Sequence, residues 1–155
     1  MKPIHLLLLL AALLLVGCKR NAELSEAQRA AITNDVNRVM SATADSIDRG
    51  GLKGWIPFLH NSSEFAWKYG NRSSSYDELV LQVKRMGPQD RSVILKWDSI
   101  QVQALSDDEA SVVANYLQTA VDTTGKSSQL DGVFKSTLVK VGDSWKFNKV
   151  ESIPH

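Results

Sequence analysis

The sequence predicts an α+β domain in which helices come first and a largely antiparallel sheet follows. Three observations predict it. Two capping-box signatures, Ser25-Glu26-Ala27-Gln28 and Ser75-Tyr76-Asp77-Glu78, each open a stretch with apolar residues three and four apart. From Ser92 onward apolar residues instead alternate with polar ones. The turn clusters Ser106-Asp107-Asp108, Thr123-Thr124-Gly125-Lys126 and Gly142-Asp143 divide that alternation into long strands.

The first helix carries one stripe, Ile32, Val36, Val39, Met40, Thr43 and Ile47, and Gly50-Gly51 stops it. A second, shorter helix is expected over Leu52 to Leu59. Pro57 must kink it or end it early, because proline lacks a backbone N–H. Ser63 to Tyr69 alternates loosely and reads as a short strand, and Gly70 to Ser73 as a turn. The third helix turns Leu79, Val80, Val83 and Met86 inward, and Gly87-Pro88 ends it. Strands are then expected at Ser92–Leu105, Glu109–Asp122, Gly132–Val141 and Ser144–Ile153. In the first of these, Leu95 and Trp97 share one phase while Ile100 and Val102 share the other. A bulge near Asp98-Ser99 would put both pairs on one face.

The 155-residue chain is 43% hydrophobic, but its start inflates that figure. Leu6 to Val16 is an unbroken apolar run behind Lys2. It falls short of the roughly 20 residues a spanning helix needs and fits a signal peptide. The run ends Leu15-Val16-Gly17-Cys18, which resembles the bacterial lipobox. That resemblance implies a cleaved leader at 1–17, lipid on Cys18, a tether at 18–24 and a domain at 25–155. Two or more acyl chains give stable anchoring where one does not. Lys19 stands where inner-membrane lipoproteins carry Asp, so resemblance to Gram-negative lipoproteins implies the outer membrane, facing the periplasm.

Eighteen basic residues against 17 acidic ones give a net charge of +1, with no broad field for a polyanion. Nucleic acid is therefore not an expected partner. One cysteine allows neither an internal disulfide nor a set of zinc thiolates. Beyond the leader only His60 and His155 remain as histidines, so neither a metal nor a cofactor is expected.

Asp48-Arg49-Gly50-Gly51-Leu52-Lys53-Gly54-Trp55, Gly125, and the run from Thr137 through Gly142 and Trp145 to Phe147 occur within this element order. Together they resemble the SnoaL-like bacterial branch of the nuclear transport factor 2-like superfamily, over residues 25–153. The resemblance implies a cone-shaped, cystatin-like fold. In it three N-terminal helices pack on a curved, mostly antiparallel sheet, and the open end forms a pocket. Such proteins include isomerases, cyclases and hydrolases, as well as binders of ligands, proteins or their own copies. Fold alone does not choose among these.

Residues must therefore choose. Ketosteroid isomerases of this fold use a carboxylate base, a Tyr and a protonated Asp. Aligning their short strand with Glu64 to Gly70 puts Trp67 at the base position, and their tyrosine falls at Thr43 or Ala44. Val150 or Glu151 stands where relatives often carry a histidine. His60, Glu64 and Asp98 remain the candidates for an enzymatic alternative, and Lys149 and Glu151 are expected to pair along one strand face. The aromatics suggest a pocket instead. Trp55, Phe58, Phe65, Trp67, Tyr69, Trp97, Tyr116 and Trp145 are the candidate lining, with Trp67 and Tyr69 foremost. The reading is a lipid-anchored domain that binds a small apolar or amphipathic ligand, or a protein partner, without evident catalysis. Its rivals are a SnoaL-like enzyme and a homodimerising interaction module.

Overall fold

The computed structural model describes residues 23–155. The apolar leader and the lipobox with Cys18 lie outside the described residues.

Helix α1 spans Glu26–Gly50. Its start is the expected capping box: Ser25 Oγ accepts from the Gln28 amide, and Gln28 Oε1 accepts from the Ser25 amide. Ile32, Val36, Met40, Thr43 and Ile47 form its buried stripe. The Thr43 hydroxyl donates to the Val39 carbonyl at 2.7 Å, so its burial strands no polar group. Leu24, assigned above to the tether, is buried in the core, and its carbonyl accepts from Arg29 Nε. Leu24 thus packs with the residues of the domain.

The second helix is not an α-helix. Gly51–Phe58 winds as a 3₁₀ segment, so among the described residues there are two α-helices rather than three. Pro57 supplies no N–H to the α-helical ladder, and its ring would crowd the carbonyl four residues earlier. Gly54 lets the segment lie directly on α1, where a Cβ would sit 2.1 Å from the Ser46 carbonyl oxygen. Gly54→Ala must push backbone from backbone, and we expect a cost of at least about 1–3 kcal/mol in urea unfolding. An unchanged midpoint would mean that the two segments part without strain.

Helix α2, Tyr76–Met86, repeats the capping box with Ser75 and Glu78 and buries Leu79 and Val83. The hydrogen bonds from the Ser75 amide and hydroxyl hold the Glu78 carboxyl below its ordinary value of 4.5.

Six strands form one sheet: β1 (Ala66–Tyr69), β2 (Arg72–Ser74), β3 (Asp90–Ala104), β4 (Glu109–Asp122), β5 (Ser127–Val141) and β6 (Ser144–Pro154). Their order is β2-β1-β6-β5-β4-β3. Only β1 and β6 run parallel. The turn expected over Gly70 to Ser73 shrinks to Gly70-Asn71, because Tyr69 already pairs with Arg72. Strand β5 begins at Ser127 rather than Gly132, since the far half of β4 offers those polar residues a ladder.

The register of β3 on β4 shifts between Asp98 and Gln101, and Ser99 takes φ 54° there. This is the bulge that the phase reversal requires. A further irregularity lies in β6, where Thr137 faces Lys149 while Leu138 faces Phe147. Asn148 is the extra residue, and Phe147 and Val150 both stay buried. Bulges bend the strands that carry them, and α1 packs against β3.

Asp122 closes the β4–β5 turn by accepting from the Thr124 amide and hydroxyl and from the Lys126 amide, at 2.6–2.9 Å. These bonds, that of the Thr124 hydroxyl foremost, hold its carboxyl below its ordinary value of 3.8. The folded state thus binds this proton less tightly than the unfolded state. The stabilisation is complete above the unfolded value and is lost as pH falls through the folded one. We expect Asp122→Asn to flatten the acid limb of a melting-temperature profile below about pH 4. A limb as steep as that of the natural chain would mean that the turn contributes nothing to acid sensitivity.

Candidate functional site

Strand alternation puts Trp67 and Tyr69 on one face of β1, and antiparallel pairing sets Ser74 and Arg72 directly beside them. Across the sheet, Trp97 pairs with Tyr116, and Phe134 pairs with Ser152, itself the partner of Tyr69. All of these line one cavity of about 500 Å³. Ile47 of α1, Leu52 and Trp55 of the 3₁₀ segment, and Leu79, Gln82, Val83 and Met86 of α2 close the other side. The volume is in the range of small-molecule pockets, about 300–1,000 Å³. Trp67 and Tyr69 stack with centroids 5.9 Å apart, and Trp97 leans on Phe134 at 4.9 Å. Tyr116 has only Gly132 beside it on β5, where a Cβ would fall 2.2 Å from the Ile153 carbonyl oxygen. No side chain can stand there, which leaves room next to the phenol.

Ser74, Gln82, Gln118 and Ser152 bring neutral polar groups to this wall beside its indoles and phenols. Trp97 Nε1 donates to the Met40 carbonyl at 2.9 Å and ties β3 to α1. Trp67 Nε1 and the Tyr116 hydroxyl are buried without a hydrogen-bond partner in the protein. Burial pushes the Tyr116 hydroxyl above its ordinary value of 10.0, with Tyr69 and Asp131 adding to the rise. It is a neutral hydroxyl at physiological pH. Arg72 is the one charged residue in the lining. It takes no part in the ion pairs found among the described residues, Arg29–Glu23, Arg38–Asp35 and His155–Asp131.

Of the aromatics singled out in the sequence, Trp55, Trp67, Tyr69, Trp97 and Tyr116 line the cavity. Phe58, Phe65 and Trp145 do not. Phe65 is buried edge-on against Tyr76, Trp145 is in the core, and Phe58 packs half-buried against that core. His60, Glu64 and Asp98 also lie away from the cavity. The His60 amide donates to the Phe147 carbonyl at 2.8 Å, and its Nδ1 meets Asn148 Oδ1 at 3.2 Å. The histidine therefore pins the chain to β6. Glu64 is exposed in the turn before β1, and Asp98 is exposed beside inward-facing Trp97. The expected Lys149–Glu151 ion pair is absent among the described residues. No group of three or more metal-ligating residues occurs among them, and no helix there is long and apolar enough to cross a membrane.

Sequence reasoning missed Arg72, Gln82, Gln118 and Ser152 as lining. For Arg72 the usable signal was its place across a two-residue turn from Tyr69.

No family model and no curated protein matches the sequence. Solved structures do. A candidate scytalone dehydratase from Novosphingobium aromaticivorans superposes with a TM-score of 0.76 at 19% identity, over 84% of this chain and 89% of that one. An NTF2-like superfamily protein from Salmonella enterica gives 0.69 at 15% identity, over 79% and 90%. The fold is NTF2-like. A hexachlorocyclohexane dehydrochlorinase from Novosphingobium barchaimii shares it, with a TM-score of 0.66 at 15% identity over 84% and 91%. At these identities the likeness is one of fold. The helical layer of this chain differs from the expected one: among the described residues there are two α-helices and two 3₁₀ segments in place of three helices.

Proposed function

We propose that the chain is a lipid-anchored envelope protein whose NTF2-like domain holds a small, mostly apolar ligand in the aromatic cavity and performs no acid–base chemistry there. One observation carries the reading. The lining is mostly aromatic and aliphatic, holds the unpartnered donors Trp67 Nε1 and Tyr116 hydroxyl beside Arg72, Ser74, Gln82, Gln118 and Ser152, and contains no carboxylate or imidazole. A general base must come within hydrogen-bond reach of the proton it removes, and His60, Glu64 and Asp98 are placed elsewhere. Unpaired donors in an apolar wall serve instead to orient a bound molecule.

Titration with N-phenyl-1-naphthylamine, a neutral probe that fluoresces in apolar surroundings, tests the reading. Saturable, one-to-one enhancement is expected. A response no greater than that of a cavity-blocked variant would remove it. The anchor rests on Leu15-Val16-Gly17-Cys18 and the outer-membrane address on Lys19. Labelled palmitate incorporated by the natural chain and not by Cys18→Ser is the outcome that supports the anchor.

The enzymatic alternative draws support from the names of two structural neighbours, a candidate dehydratase and a dehydrochlorinase. It would need a proton acceptor that the lining does not supply.

A further inference from the structure

We infer that the ligand is an aromatic carboxylate, its ring among Trp67, Trp97 and Phe134 and its anionic group on Arg72. This rests on the ligand-binding reading above and adds the chemical class. The argument is the sign of the polar lining. Register puts Trp67, Tyr69, Arg72 and Ser74 on one face of the β1–β2 hairpin, and all four line the cavity. An indole N–H and a guanidinium can only donate. Tyr116, 8% exposed, adds a hydroxyl from the opposite wall that has no partner in the protein. Ser74, Gln82, Gln118 and Ser152 can donate or accept, so the sign of the cavity is set by its single charge, the Arg72 guanidinium, and by the unpartnered indole N–H.

A cationic ligand would gain from the ring faces, yet it would meet a guanidinium and find no carboxylate. A pure hydrocarbon would leave the buried donors unpaired. A dianion would bring a second charge against apolar walls without a counter-charge. A monoanionic carboxylate matches the fork of one guanidinium. Flat rings match walls built from a Trp67–Tyr69 stack and a Trp97–Phe134 pair.

Calorimetric titration of the full chain in lipid nanodiscs at neutral pH, with empty nanodiscs as the blank, compares 2-naphthoate with 2-naphthamide. The two have nearly the same shape and differ in charge. Arg72 is exposed, so its pairing is screened by solvent, and naphthoate is expected to bind about fivefold more tightly, the upper end for such a pair. High salt should narrow the difference. Arg72→Gln should bring naphthoate down to the level of naphthamide, and Arg72→Lys should restore part of the preference. Equal affinities, a preference that survives in Arg72→Gln, or tighter binding of a naphthylmethyl-trimethylammonium cation would overturn the anion assignment while the ligand-binding reading stands. Failure of both naphthalenes where N-phenyl-1-naphthylamine still binds would overturn it as well. Failure of all these probes would remove the ligand-binding reading itself.

Discussion

Replacing Phe147 by alanine is expected to cost about 3–5 kcal/mol of folding free energy, the range for deleting a fully buried aromatic side chain. Phe147 has no exposed surface, and its ring is edge-on to Phe134 at 5.7 Å and to Trp55 at 6.4 Å. Its backbone bridges to Leu59 and accepts from the His60 amide. One residue thus joins the sheet, the 3₁₀ segment and the chain leading to β1. Loss of the ring opens a hole between two cavity walls, because Trp55 and Phe134 both line the cavity. The surrounding strands are held by ladder hydrogen bonds on both sides and can relax only partly. Urea unfolding monitored by circular dichroism measures the loss. A cost below about 1 kcal/mol would mean that the core collapses into the hole, and that Phe147 does not brace the cavity.

What was legible in the sequence depends on how local the signal is. Both capping boxes form as written, because their partners lie three residues apart and need nothing from the rest of the fold. The β3 bulge was legible because Leu95-Trp97 and Ile100-Val102 conflict in phase. The same conflict stands in β6 between Trp145-Phe147 and Val150, and it marks the irregularity at Asn148. It passed unread. Strand β2 has three polar residues and no alternation, so its existence comes from pairing with β1 rather than from its own composition. The parallel pairing of β1 with β6 joins segments far apart in sequence, and no local pattern encodes it.

The same limit applies to the cavity. Aromatic identity marks residues that avoid water, but not which of two apolar volumes they enter. Trp67 and Tyr69 face the cavity, whereas nearby Phe65 turns to the core against Tyr76. Arg72 was passed over because charged residues usually mark solvated positions. It is itself exposed, and its place in the lining follows from register, which is a property of two strands together. Of the acids and histidines considered, none is brought to the cavity, since Asp98 is on the outward phase of β3 and His60 is used in tying the chain to β6.

Ser152→Trp is expected to abolish binding of N-phenyl-1-naphthylamine, lowering its affinity by more than about tenfold, or 1.4 kcal/mol. Ser152 stands between Phe134 on β5 and Tyr69 on β1 in one cross-strand row, and it lines the cavity. An indole in this row would enter the space a ligand needs and stack with the aromatic residues already there. Tryptophan suits a strand, and here it fills open volume rather than displacing packed atoms. The expected change in stability is therefore small, within about 1 kcal/mol. Ser152→Ala, which removes only a hydroxyl, should bind the probe as the natural chain does. The pair of variants separates occupancy of this cavity from adsorption to the exposed apolar residues of the sheet, such as Ile94, Val113 and Leu117. A folded Ser152→Trp protein that still binds the probe with unchanged affinity would place the binding site elsewhere. The aromatic lining would then be structural packing, and neither Arg72 nor the unpartnered Tyr116 hydroxyl would have a ligand to hold.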